Sequence, residues 1–145
     1  MIIGISLDIN ELDKGISLLS NNPEIKHIQI HYGPNAKLND YKWFVEKANI
    51  INPSISFSIH AYNEINFAEK NETVFSAWCD VSQKTLEDAI SINAEFVNFH
   101  FGILCDGEKN RGESRKKAIN EFISLQKYAE AYQLDIHIEN IYSAP

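Results

Sequence analysis

Five short segments alternate apolar and polar residues with a period of two: IIGISLD (2–8), KHIQIHY (26–32), SISFSIH (54–60), FVNFHF (96–101) and LDIHIEN (134–140). Each is rich in β-branched or aromatic residues, and each is expected to be a strand. The stretches between them carry helical spacing instead. A helix is expected from Asn10 to about Ser20, with the Asn-Glu-Leu-Asp run as a cap and Ile16, Leu18 and Leu19 inward. A second runs from Asn39 to Ile51 on Tyr41, Phe44, Val45, Ala48 and Ile51. A third covers Val74 to Asn93 on Trp78, Val81, Leu86, Ala89 and Ile90, and a fourth Glu113 to Tyr132 on Ile119, Phe122, Ile123, Leu125 and Ala129. Strands alternating with helices imply parallel βαβ units. The expectation is an α/β fold of about five parallel strands and four helices, in one domain over residues 1–145, with no linker, low-complexity tract or repeat.

The alternation itself is unusual. Strands of a parallel sheet normally read as continuous apolar runs because both faces are covered. Here one face is apolar: Ile3, Ile5 and Leu7; Ile28 and Ile30; Ile55, Phe57 and Ile59; Val97, Phe99 and Phe101; Ile136 and Ile138. The other is polar: Ser6 and Asp8; His27, Gln29 and His31; Ser56, Ser58 and His60; Asn98 and His100; Asp135, His137 and Glu139. The apolar face seats the amphipathic helices, which leaves the polar face toward a lumen or cleft. An unsatisfied buried polar group costs about 1–3 kcal/mol, so these side chains require partners. The last polar residues lie at the carboxyl ends of the strands, where ligands sit in parallel α/β folds. His60, His100 and Glu139, from three consecutive strands, form a set of two imidazoles and a carboxylate. Such a set suits a divalent first-row ion and leaves a coordination position open. The bland alternative is that these histidines are hydrogen-bonded core residues or line a wet cleft. His31 is either a substrate contact or lining, Asn98 faces the same cavity as a substrate-binding candidate, and His27 and His137 lie deeper as structural residues.

Composition changes this picture little. The chain has 145 residues, 44% hydrophobic and 23% charged, ordinary for a globular protein. A formal charge of −7 opposes a phosphate backbone as the dominant partner, so nucleic acid is not expected. The one basic cluster, KNRGESRKK (109–117), is broken by Glu113 and reads as a solvated helix start, with a phosphate contact as the alternative. Cys79 and Cys105 show no CxxC spacing, which points to neither a disulfide framework nor a thiolate metal site. The amino terminus lacks a signal-peptide pattern and no run is long enough for a membrane span; a cytoplasmic, non-membrane protein is expected.

Three stretches together resemble the xylose-isomerase-like TIM barrels, which include sugar isomerases and epimerases and apurinic endonucleases of the endonuclease IV type. SIHAYNEINFAEKN resembles the third-strand motif of that superfamily, FVNFHFG its fourth-strand His-Pro-Gly motif, and IHIENI its fifth-strand Glu-Asn motif. The resemblance implies the amino-terminal part of an incomplete (β/α)8 barrel. It implies that His60, His100 and Glu139 are metal ligands in the endonuclease-like members, that Glu139 is both ligand and acid–base residue in the epimerase-like ones, and that Tyr62 lines the substrate pocket. The ion would be zinc, manganese or magnesium and the substrate a small sugar or sugar phosphate.

The chain departs from the pattern where Phe101 replaces the Pro after His100 and where the Pro usual after His-Ala is missing. Later-strand ligands have no counterpart, and five strands do not close such a barrel. The expectations are therefore a fragment inactive alone, or a half-barrel completed by self-association or by a missing carboxyl-terminal half. The leading function is a metal-dependent sugar or sugar-phosphate isomerase or epimerase. The alternatives are a phosphodiesterase acting at abasic DNA and a non-catalytic half-barrel module.

Overall fold

A computed structural model describes residues 3–33, 37–102 and 111–139. Five strands, β1 (Ile3–Asp8), β2 (Ile25–His31), β3 (Ser56–His60), β4 (Phe96–His100) and β5 (Asp135–Glu139), form one sheet in the order β1-β2-β3-β4-β5, every neighbour parallel. The helices α1 (Leu12–Asn21), α2 (Leu38–Ile51), α3 (Glu72–Ser91) and α4 (Arg111–Glu130) alternate with them. This is an α/β fold, as the alternation predicts, with five parallel strands and four helices among the described residues. Among the described residues, no helix is long and apolar enough to cross a membrane.

The apolar face of the sheet and one stripe of each helix make the core. Ile28, Ile30, Ile59, Val97 and Phe99 are buried against Tyr41, Phe44 and Ala48 of α2, Leu86 and Ala89 of α3, and Ala118, Phe122, Leu125 and Ala129 of α4. Burying each large apolar side chain contributes about 1.5–3 kcal/mol, which is what draws the helices to that side only. Aromatic contacts knit the layers: Phe44 meets Phe57 edge-on at 6.2 Å, and Phe67 packs on Phe122 at 4.6 Å.

Several helix residues expected inward are not. Leu18 is 40% exposed, Ile51 37%, Ile119 41% and Ile123 49%. Periodicity marks the side of a helix but not the width of the arc its neighbours cover. On α4 the reason is visible. Ile119 and Ile123 flank an apolar cleft shared with Phe101 and with Ile136 and Ile138 of β5, the outermost strand of the described sheet.

Local chemistry sets the element ends. Helical structure begins at a single 3-10 turn, Ile9–Glu11, and its cap is Asp8, just ahead of the expected Asn-Glu-Leu-Asp run: the carboxylate accepts from the Asn10 backbone N–H at 2.8 Å and its side-chain amide at 2.7 Å. Asn71 caps α3 by accepting from the Thr73 and Val74 amides. Asn93 and Gln133, at φ 54° and 57°, turn the chain out of α3 and α4 while the Ala94 and Leu134 amides donate back to the Ala89 and Ala129 carbonyls. The helix start within the basic cluster is confirmed, and Lys117 there pairs with Glu72 at 2.8 Å and sits 3.7 Å over the Phe75 ring, tying α4 to α3. Lys109 and Cys105 lie outside the described residues. Cys79 is a free thiol, pushed up to about 12 by burial and then by Glu121.

Candidate metal centre

The strand register decides which polar side chains meet. Asp8 is level with His31, His31 with His60, His60 with Asn98, and Asn98 with His137. His100 and Glu139 are paired one step further on, two residues beyond Asn98 and His137. The three metal candidates therefore do not share one row, as the strand-end reading expected. The stagger between β3 and β4, of the kind a barrel requires, sets His60 diagonally below the other two.

The diagonal still brings them together. Ligand atoms of His60, His100 and Glu139 all lie within 4.8 Å of one another. Glu139 Oε2 is 3.5 Å from His60 Nε2 and 3.7 Å from His100 Nε2. Donors bound to one ion at about 2.0–2.2 Å in tetrahedral geometry stand roughly 3.3–3.6 Å apart. The observed spacing is close to that of a chelating set.

The tautomers sharpen the case. His60 Nδ1 lies 3.0 Å from the Ala61 carbonyl oxygen, which can only accept, so the ring donates there and Nε2 is the nitrogen turned to the centre. That nitrogen faces a carboxylate oxygen. The carboxylate stays ionised, because the hydrogen bond from Asn98 Nδ2 at 3.0 Å, and then the nearby His100, hold Glu139 below its ordinary range. With the imidazole neutral, as a metal ligand is, two acceptors would be turned toward each other, an arrangement that a cation between them satisfies. His100 Nδ1 is buried and has no hydrogen-bond partner among the described residues. The donor set, its spacing and its orientation thus fit a divalent ion.

Around this centre several polar side chains partner one another. His31 stacks on His60 with ring centroids 4.6 Å apart, its Nε2 is 2.6 Å from the Ser6 hydroxyl, and burial first and His60 next lower its pKa. His60 meets His100 edge-on at 4.8 Å. Deeper, His27 bridges the Ser56 and Ser58 hydroxyls at 2.7 and 2.8 Å, with the Glu95 carboxylate 3.6 Å away. Phe96, which strand parity also puts on this face, fills the space between His27 and His137, at 5.5 and 4.3 Å. That aromatic floor follows from the two-residue spacing of Phe96 from Asn98, which puts both on one face of β4.

The structure thus joins His31, His60, Asn98, His100 and Glu139. Tyr62 is placed elsewhere: the strand ends at His60, alternation ends with it, and the Tyr62 ring packs 6.3 Å from Trp78 of α3, lining a separate cavity. Asn140 and Ile141 of the fifth-strand motif lie outside the described residues.

No protein-family model matches the chain, and no curated protein matches it in sequence. Solved structures do match in fold. A D-tagatose 3-epimerase-like protein superposes with a TM-score of 0.81 at 19% identity, covering 97% of this chain and 53% of that one. A xylose isomerase domain protein from Planctomyces limnophilus gives 0.73 at 12% identity, covering 98% and 55%. The IOLI protein with a binding zinc atom gives 0.69 at 14% identity, covering 97% and 52%. The chain spans about half the length of these structures. It has the fold of the xylose-isomerase-like TIM barrels, over about half of such a barrel.

Proposed function

We propose that this chain carries part of the active centre of a divalent-metal-dependent sugar or sugar-phosphate isomerase or epimerase. The observation that carries the reading is the convergence of three ligand atoms, with Glu139 Oε2 3.5 Å from His60 Nε2 and 3.7 Å from His100 Nε2. The similar structures support it at the level of reaction class, since they include an epimerase-like protein and a zinc-containing one.

In this reading His60, His100 and Glu139 hold the ion, which would be zinc, manganese or magnesium. When bound, the ion polarises a carbonyl and its neighbouring hydroxyl, lowering the barrier to removing the proton on the adjoining carbon. The protein's own groups do the rest. Glu139 Oε2 faces the two imidazoles, so its second oxygen is the one able to exchange a proton with substrate carbon. Asn98 fixes that division by donating to Oε2. His31, stacked on His60, lines the approach and offers an imidazole to a sugar hydroxyl. Glu139 is the only carboxylate in the cluster among the described residues, so inversion at carbon takes its second base from outside the set. The chain alone is therefore expected to exchange protons without completing an epimerisation.

Proton exchange needs one base only, which makes it the proper test. A ketohexose incubated with the metal-loaded protein in D2O should gain deuterium at the carbon beside its carbonyl, and Glu139→Gln should abolish the gain. Exchange that persists in Glu139→Gln, or that never occurs with any ketose or ketose phosphate, would contradict the reading.

A second reading, metal-assisted hydrolysis of a phosphodiester at abasic DNA, is favoured by the ligand set itself, because two imidazoles and one carboxylate are the set that the endonuclease-like resemblance implies. The charge of −7 weighs against it. Binding to an abasic duplex with a steep salt dependence would decide for it.

A further inference from the structure

Beside the carboxyl ends of β2 and β3, a cavity of ≈ 560 Å³ runs along one flank of α3 and shares no residue with the metal centre. Tyr62 and Trp78 form its aromatic walls, with ring centroids 6.3 Å apart and planes tilted by 47°, and Tyr32 and Val81 extend the apolar surface. Its size lies in the range of small-molecule sites, about 300–1,000 Å³. Three charged residues complete the lining: Glu64, Asp80 and Lys84.

The charges do not cancel. Lys84 is bound to Asp88, a buried carboxylate that also accepts the Tyr32 hydroxyl at 2.9 Å, so its ammonium is already neutralised. Glu64 accepts the Tyr62 hydroxyl, and it and Asp80 remain two carboxylates at the exposed rim that no described ion pair neutralises. Aromatic faces attract cations through their quadrupole, by about 0.5–2 kcal/mol as solvent is excluded, and two carboxylates add to that attraction. An anionic sugar phosphate would be repelled, and a neutral sugar would gain stacking but nothing from the carboxylates.

We propose that this cavity is a second binding site, for a small organic cation: a protonated amine on an apolar body that lies against Tyr62 and Trp78, its charge toward Glu64 and Asp80. The site depends on neither the metal centre nor the reading of the reaction.

The test uses Trp78 as reporter in a Trp43→Phe background, which removes the only other tryptophan. Benzylamine is the probe and benzyl alcohol its neutral counterpart. Saturable quenching of Trp78 by the amine is expected, with affinity for the alcohol weaker by about tenfold. Glu64→Gln with Asp80→Asn, at two exposed positions, should remove that preference without changing the melting temperature, and His100→Ala should leave it intact. Equal affinity for amine and alcohol, a preference that survives loss of both carboxylates, or no saturable signal from a folded protein would each overturn the proposal.

Discussion

Asn98 shows how one side chain governs the chemistry of another. Its amide hydrogen reaches the same Glu139 oxygen that faces both imidazoles, so it orients the carboxylate and keeps it ionised. Outer groups that orient a ligand are typically worth 10–100-fold in metal affinity. Asn98→Leu, close in volume and without the donor, should weaken zinc binding about 10–100-fold in a calorimetric titration while leaving the melting temperature nearly unchanged; unaltered affinity would remove Asn98 from the centre. His27 makes a pH-dependent prediction. Burial lowers its pKa despite Glu95, so the unfolded chain binds its proton more readily than the folded one. That contribution to stability is complete above about pH 6.5 and is lost as pH falls through the depressed folded value. In His27→Gln the drop in melting temperature between pH 7 and pH 5 should shrink, and an unchanged drop would place the acid sensitivity in other groups. At this scale the sequence was informative because parity is a strict rule: His60, His100 and Glu139 face one side whatever the surroundings. Parity does not reach Tyr62, which lies beyond the end of β3, where no pleat fixes direction.

Among the elements, the strands and helices follow from periodicity, but their mutual placement does not. His60 is level with Asn98, not His100, because strand stagger is fixed by closure of the sheet and by the helices packed on it, neither of which is written in a single strand. The exposed Ile119 and Ile123 make the same point for α4, whose apolar stripe extends past the arc that its neighbours cover. Gly102 supplies a prediction for the connection leaving β4. Its φ is +101°, and a Cβ there would collide with the Asn66 side chain and crowd the Phe67 amide. The turn that directs the chain away from His100 thus requires glycine. Gly102→Ala should lower the unfolding free energy by about 1–3 kcal/mol, read from the urea midpoint at constant slope. Wild-type stability in that variant would mean that the connection is not held as described.

For the whole molecule, one arrangement explains both the alternation and the polar partners: an open parallel sheet with helices on its apolar side and a hydrophilic hollow on the other. A sheet covered on both faces by helices would have no use for His27, His31, Ser58, His60 and Asn98 on one side. The chemistry assigned to the hollow depends on three strands delivering one chelating set despite their stagger. The most direct measurement is the zinc content of the purified protein after equilibration with the ion and removal of excess, compared with His60→Ala and His100→Ala. One ion per folded wild-type chain, lost in both variants while their circular dichroism is preserved, is the predicted result; wild-type stoichiometry in either folded variant, or no ion bound by the wild type, would contradict it.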